Sequence, residues 1–223
     1  MSLGFTASAR RLGRASAFAV VGLGVAYAIT LAIGLATLPS PDEPITGALF
    51  TLLELLILAM MPAIVVLMVA VHAWAPAEMK AWSLSALVFA SLLAGVTSSL
   101  HFVILTLSHQ PAFAGMSLAF AFRWPSVAYA LDILAWDVFF ALAALCAAPV
   151  FRGAGLERRI RWLLIASGAL AAAGLSGVAT GDMRLRNLGI LGYAVLFPIA
   201  AALLGALFTR TPERATRDAT LMP

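Results

Sequence analysis

The sequence predicts an all-α, polytopic membrane protein: one bundle of six transmembrane helices, with the N-terminus and the C-terminus both cytoplasmic. Three observations carry that expectation. Hydrophobic residues make up 63% of the 223 positions and charged residues 11%, against roughly 45–50% and about 25% in a soluble domain. Six apolar stretches reach the roughly 20 residues that a helix needs to cross a hydrocarbon core of about 30 Å. The arginines gather at the ends of those stretches, most of them on one side of the bundle. Helices and closed barrels alone satisfy their backbone in lipid, and these stretches lack the alternation of barrel strands.

The first span is expected at residues 15–38, preceded by Arg10, Arg11 and Arg14. Its length favours a retained span over a cleaved signal segment. An acidic link, Pro39–Pro44 (PSPDEP), leads to the second span at 46–73, where Pro62 should introduce a kink. The third span is expected at 81–107 and the fourth at 125–150. Pro125 should sit in the first turn of the fourth span, where its fixed φ is already helical.

Between the third and fourth spans lies SHQPAFAGMSLAFAFR, residues 108–123. It is too apolar for a free loop and too short to cross, so it is expected to cap the outer mouth as an interfacial or re-entrant segment. The fifth span, at 160–180, carries Ala169, Ala173, Gly177 and Gly181 at every fourth position. Small residues at that spacing let helix backbones approach closely, within the bundle or in a homo-oligomer. The sixth span is expected at 186–209 with Pro198 inside it, followed by a polar tail at 211–223. The whole chain reads as one membrane domain.

Orientation follows from the cations. An inside N-terminus puts eleven on the cytoplasmic side (Arg10, Arg11, Arg14, Lys80, Arg152, Arg158, Arg159, Arg161, Arg210, Arg214 and Arg217) and three outside, Arg123, Arg184 and Arg186. Trp74, Trp82, Trp124 and Trp162 fall at the expected membrane–water boundaries, where amphipathic rings sit, whereas Trp136 lies within the fourth span. The net charge of +4 is thus a topology signal, with membrane lipid rather than nucleic acid as the expected partner. The single cysteine, Cys146, lies in an apolar run and offers neither a disulfide nor a metal pair.

Ionisable groups inside a span are costly and mark candidate sites. Glu54 on span two, His101 on span three, and Asp132 and Asp137 on span four are the candidate catalytic groups. At 1.5 Å per residue they lie about 12, 9, 10 and 18 Å below the outer face. Three helices thus carry titratable groups at one level in the outer half of the membrane. Thr97 and Ser98 share the face of His101, and Tyr129 and Trp136 share that of Asp132, as candidate pocket-lining residues.

Asp137 should point about 140° away from Asp132 at 3.6 residues per turn. The two aspartates are therefore not expected in one narrow pocket, and Arg123, Arg184 and Arg186 are candidate outer charge partners. One histidine at this level, with no HxxxH or HxxE spacing, gives no case for a metal. His72 and His109 lie near opposite faces, which gives none for haem, so no cofactor is expected.

Two stretches, WPSVAYALDILAWD (Trp124–Asp137) and GDMRLRNLGILGY (Gly181–Tyr193), resemble a group of bacterial six-helix membrane proteins. The resemblance covers most of the chain and implies a bacterial inner membrane location. It carries no activity and assigns no site residues.

Three functional classes fit a polar outer half above an apolar inner half. One is a small integral-membrane enzyme working by acid–base chemistry on a lipid-like or isoprenoid substrate. Another is a ligand-binding or transport subunit that relies on partner proteins for the inner pathway. The third is a structural or sensory bundle without catalysis.

Overall fold

The structure, a computed structural model, describes residues 5–40, 45–108 and 110–211. Among these it contains helices and turns and no strand. Six helices are long and apolar enough to cross a membrane: α1 (Ala7–Ala36), α2 (Gly47–Trp74), α3 (Ala77–Leu107), α4 (Val127–Val150), α5 (Leu156–Thr180) and α6 (Met183–Arg210). This is the architecture of an integral membrane protein. Six crossings bring both ends of the chain to the same side, here called the arginine-rich end. Each helix packs on its neighbours in sequence, and α6 returns to pack on α1. α4 is the most enclosed of the six, with 61% of its span buried against 17% for α1.

Hydrophobic burial does not drive helix association in lipid, so close backbone approach and polar contacts must hold such a bundle. Gly13 permits the first kind: a Cβ there would stand 2.7 Å from Phe208 on α6 and 2.8 Å from Ala70 on α2. The α5–α6 contact is closer still, because a Cβ on Gly192 would lie 2.5 Å from the Ser167 carbonyl oxygen. Ser167 in turn donates its hydroxyl to the Gly192 carbonyl at 2.8 Å. Large side chains such as Ile29, Ile33, Leu84, Val88 and Phe102 project outward, where lipid tails receive them.

The helix ends follow local chemistry. Thr6 caps α1, accepting from the Ala9 amide at 3.2 Å, so the helix begins before Arg10 rather than after Arg14. Lys80 donates to the carbonyls of His72 and Ala73 and closes the free end of α2. His72 spends its ring on Ser83, at 2.9 Å, while His109, the 41–44 link and the tail beyond 211 lie outside the described residues. Ser126, not Pro125, opens α4: its hydroxyl accepts from the Tyr129 amide at 3.0 Å and donates to the Ala121 carbonyl. Pro125 stands one position outside the helix, joined to Trp124 by a cis bond.

Three of the expected helices need correction, α5 in its packing face and α4 and α6 in their backbone. The small residues of α5 do not form one face, because the helix is interrupted between Gly174 and Ser176. Ala169 and Ala173 face outward, Gly177 is buried and Gly181 ends the helix at φ +78°. The face that packs is Gly168, Ala171 and Gly174. In addition, α4 and α6 are not uniform α-helices. Leu134–Phe140 in α4 and Leu191–Leu196 in α6 are π-helical, with hydrogen bonds that reach one residue further than in an α-helix. The second π stretch ends two residues before Pro198, whose ring would otherwise press on the carbonyl four residues back.

Candidate functional site

The ionisable side chains inside the bundle form two groups. The first joins α2 to α3. Glu54 and His101 are 3% and 4% exposed, and His101 Nδ1 lies 2.8 Å from Glu54 Oε2. With the carboxylate as acceptor, Nδ1 donates the shared proton. His101 Nε2 has no hydrogen-bond partner among the described residues, nor does the buried Thr97 hydroxyl one turn earlier on the same face. Ser98 beside it is half-buried. Phe122, from the segment between α3 and α4, stacks on the imidazole with centroids 5.4 Å apart and planes inclined by 23°.

The second group joins α4 to α6. Arg186 donates from Nη2 to Asp132 Oδ2 at 2.5 Å and from Nε to Asp137 Oδ2 at 3.0 Å. Its guanidinium, buried at 5% exposure, also lies over the Tyr129 ring, 4.4 Å from the centroid, a cation–π contact that burial strengthens. Asp137 is fully buried. Its second oxygen, Oδ1, has no hydrogen-bond partner among the described residues and is packed against Gly174 and Gly189. Below this group Trp136 and Tyr193 pack with centroids 4.9 Å apart, and Phe140 meets Tyr193 edge-on.

The two aspartates therefore share one partner, contrary to the 140° separation expected of a regular helix. The π-helical stretch begins just after Asp132 and contains Asp137. A wider turn brings residues five apart towards one face, so both carboxylates reach one guanidinium.

Of the three outer arginines, Arg186 alone serves them. Arg123 and Arg184 are exposed and make no ion pair among the described residues. Arg186 lies inside rather than at the rim because α6 starts early. Gly181 turns the chain, Asp182 accepts from the Arg184 amide at 3.0 Å, and a 3-10 turn over Met183–Arg186 carries the guanidinium into the bundle. Gly177 makes room for that turn, since a Cβ there would stand 3.1 Å from the Asp182 carbonyl oxygen.

Sequence reasoning missed three aromatic residues. Tyr27 on α1 is half-buried against the bundle core. Tyr193 and Phe122 are the others. A tyrosine in mid-span, as at Tyr27 and Tyr193, was the available signal, because its hydroxyl needs a polar neighbour in lipid. Phe122 carried none.

The surface carries clefts, of which two are notable among the described residues. One, of about 380 Å³, runs along the start of α6 beside Leu185, Leu188 and Leu191. The other, of about 390 Å³, lies between α3 and α4. Neither is lined by Glu54, His101, Asp132 or Asp137. Chemically, the second group is an anchor whose two carboxylates share one guanidinium, while His101 has one nitrogen fixed and one without a partner. Comparison with known protein families, with characterised proteins and with solved structures finds no match.

Proposed function

We propose that this chain is a small integral-membrane enzyme of the bacterial inner (plasma) membrane that performs acid–base chemistry on a lipid-like or isoprenoid substrate. The observation that carries the reading is His101: its Nδ1 is held by buried Glu54, and its Nε2 is buried without a partner. A carboxylate that fixes one ring nitrogen sets the tautomer and leaves the other nitrogen to take and return a proton. In this reading Glu54 is a positioning residue. Thr97, whose hydroxyl is also unpaired, holds a polar atom of the substrate beside the imidazole.

Asp132, Asp137 and Arg186 bond to one another and serve as the clamp between α4 and α6. A transport pathway is less well supported, because these groups are spent on mutual contacts and the side chains of Ser16 and Ser83, buried towards the arginine-rich end, are uncharged. The excess of arginine at that end places it in the cytoplasm, and the His101 site then lies in the outer leaflet, with membrane lipid as its surroundings.

The test compares the lipid extracts of cells producing the wild-type chain, His101→Asn or an empty vector. The wild type should change the amount of at least one lipid or isoprenoid species, and the variant should match the empty vector while remaining folded in detergent. An identical lipid profile for wild type and variant overturns the reading.

A further inference from the structure

The cleft between α3 and α4 is lined by Gly95, Val96, Ser99 and Val103 on one side, and by Val127 and Leu131 on the other. Its position along both helices is the outer-leaflet part of the bundle when the arginine-rich end faces the cytoplasm. Ala119 and Phe120 close it at the loop end. Those two residues belong to the same short segment as Phe122, which covers the His101 ring. Leu100, which also lines the cleft, adjoins His101 in the chain, and Leu131 adjoins Asp132. One segment therefore roofs the cleft and shields the imidazole.

The end of the cleft has a second character. Arg123 and Trp124 lie between the two stretches of chain that line it, Ala119–Phe120 and Val127–Ala128. Both are exposed, and Arg123 makes no ion pair among the described residues. An apolar cleft between two membrane-crossing helices, with an exposed guanidinium and an exposed indole on the short stretch of chain that joins its lining residues, matches a lipid with one long chain and an anionic head.

We propose that this cleft binds a phosphate-bearing lipid, its chain lying between α3 and α4 and its phosphate on Arg123. The inference rests on the enzymatic reading of His101 and names its substrate class. The bound chain displaces the Ala119–Phe122 segment from its closed position, and lifting Phe122 opens the imidazole to the head-group end of the lipid.

The test uses nanodiscs of phosphatidylcholine containing phosphatidylglycerol with a photoactivatable diazirine in its acyl chain. Labelling should concentrate in the α3 and α4 peptides that line the cleft. Gly95→Leu is the filling variant, because a Cβ at Gly95 meets no atom within 4 Å; it should abolish the concentrated labelling while the chain stays folded. Arg123→Gln should weaken labelling about fivefold, the loss expected of one interfacial cation on an anionic lipid.

Competition identifies the source. Stronger displacement by a polyprenyl phosphate assigns an isoprenoid, and stronger displacement by unlabelled phosphatidylglycerol assigns a glycerophospholipid. Labelling spread evenly over the outward faces of α1 and α3, or equal displacement by uncharged diacylglycerol, overturns the proposal. The two readings fail separately. His101→Asn should keep the labelling, so concentrated labelling with an unchanged lipid profile rejects the catalytic role and leaves the binding site standing.

Discussion

Asp132 and Asp137, five positions apart on α4, accept hydrogen bonds from a single guanidinium, that of Arg186, at 2.5 and 3.0 Å. The convergence needs the π-helical stretch Leu134–Phe140, and it ties α4 to the start of α6 across a region where lipid offers no hydrophobic drive for association. Removing one partner of a buried pair costs more than the pair contributes, because the charge left behind has no solvent.

Arg186→Gln therefore leaves two carboxylates facing each other, and should destabilise the bundle by about 3–5 kcal/mol. Thermal unfolding in detergent measures it. A variant that also carries Asp132→Asn and Asp137→Asn has no stranded charge, and should recover most of the loss. Failure of that triple variant to improve on Arg186→Gln would show that shape rather than charge holds the contact.

The glycines around Asp137 give a prediction with an internal control. A Cβ at Gly189 would lie 2.7 Å from Asp137 Oδ1, and that carboxylate is already fixed by Arg186. Gly189→Ala should cost about 1–3 kcal/mol through overpacking. At Gly95, where the added methyl meets nothing, the same change should be neutral or should stabilise by up to about 1 kcal/mol through helix propensity. Both are read from the same unfolding midpoints, and equal effects at the two sites contradict the packing assigned to Gly189.

The two charged groups should also separate energetically. Glu54 and His101 are in direct contact at 2.8 Å, so a double-mutant cycle of Glu54→Gln and His101→Asn should give a coupling of about 0.5–3 kcal/mol. His101 and Arg186 share no partner, and their cycle should close to within about 0.5 kcal/mol.

These contacts show which parts of the molecule were readable from composition and spacing. Span number and the common depth of Glu54 and His101 follow from hydropathy and from 1.5 Å per residue, and those two residues do meet. The partner of the aspartates did not follow, for two local reasons. Angular arithmetic at 3.6 residues per turn fails across a π stretch, and nothing in LAWDVFF announces one. Arg186 looked like a rim residue because the sixth span was expected to begin with it. The Gly181 turn and the Asp182 cap begin the helix earlier and carry the charge inside. Phe122 was unreadable for a further reason: its contact with His101 depends on how a non-helical segment folds back, and no periodicity governs that.

The proposed orientation yields the last prediction. With Cys146 replaced by alanine, a cysteine is introduced at Thr180, exposed at the end of α5 facing α6, or at Ala154, exposed between α4 and α5. The two positions lie at opposite ends of α5, so only one can face outward. In the proposed orientation the arginines flanking Ala154, Arg152, Arg158, Arg159 and Arg161, keep that loop on the cytoplasmic side. In intact cells a membrane-impermeant maleimide should label Thr180→Cys and spare Ala154→Cys, and opening the cells should make both react. The reverse pattern would place the His101 end of the bundle towards the cytoplasm and move the proposed lipid cleft to the inner leaflet.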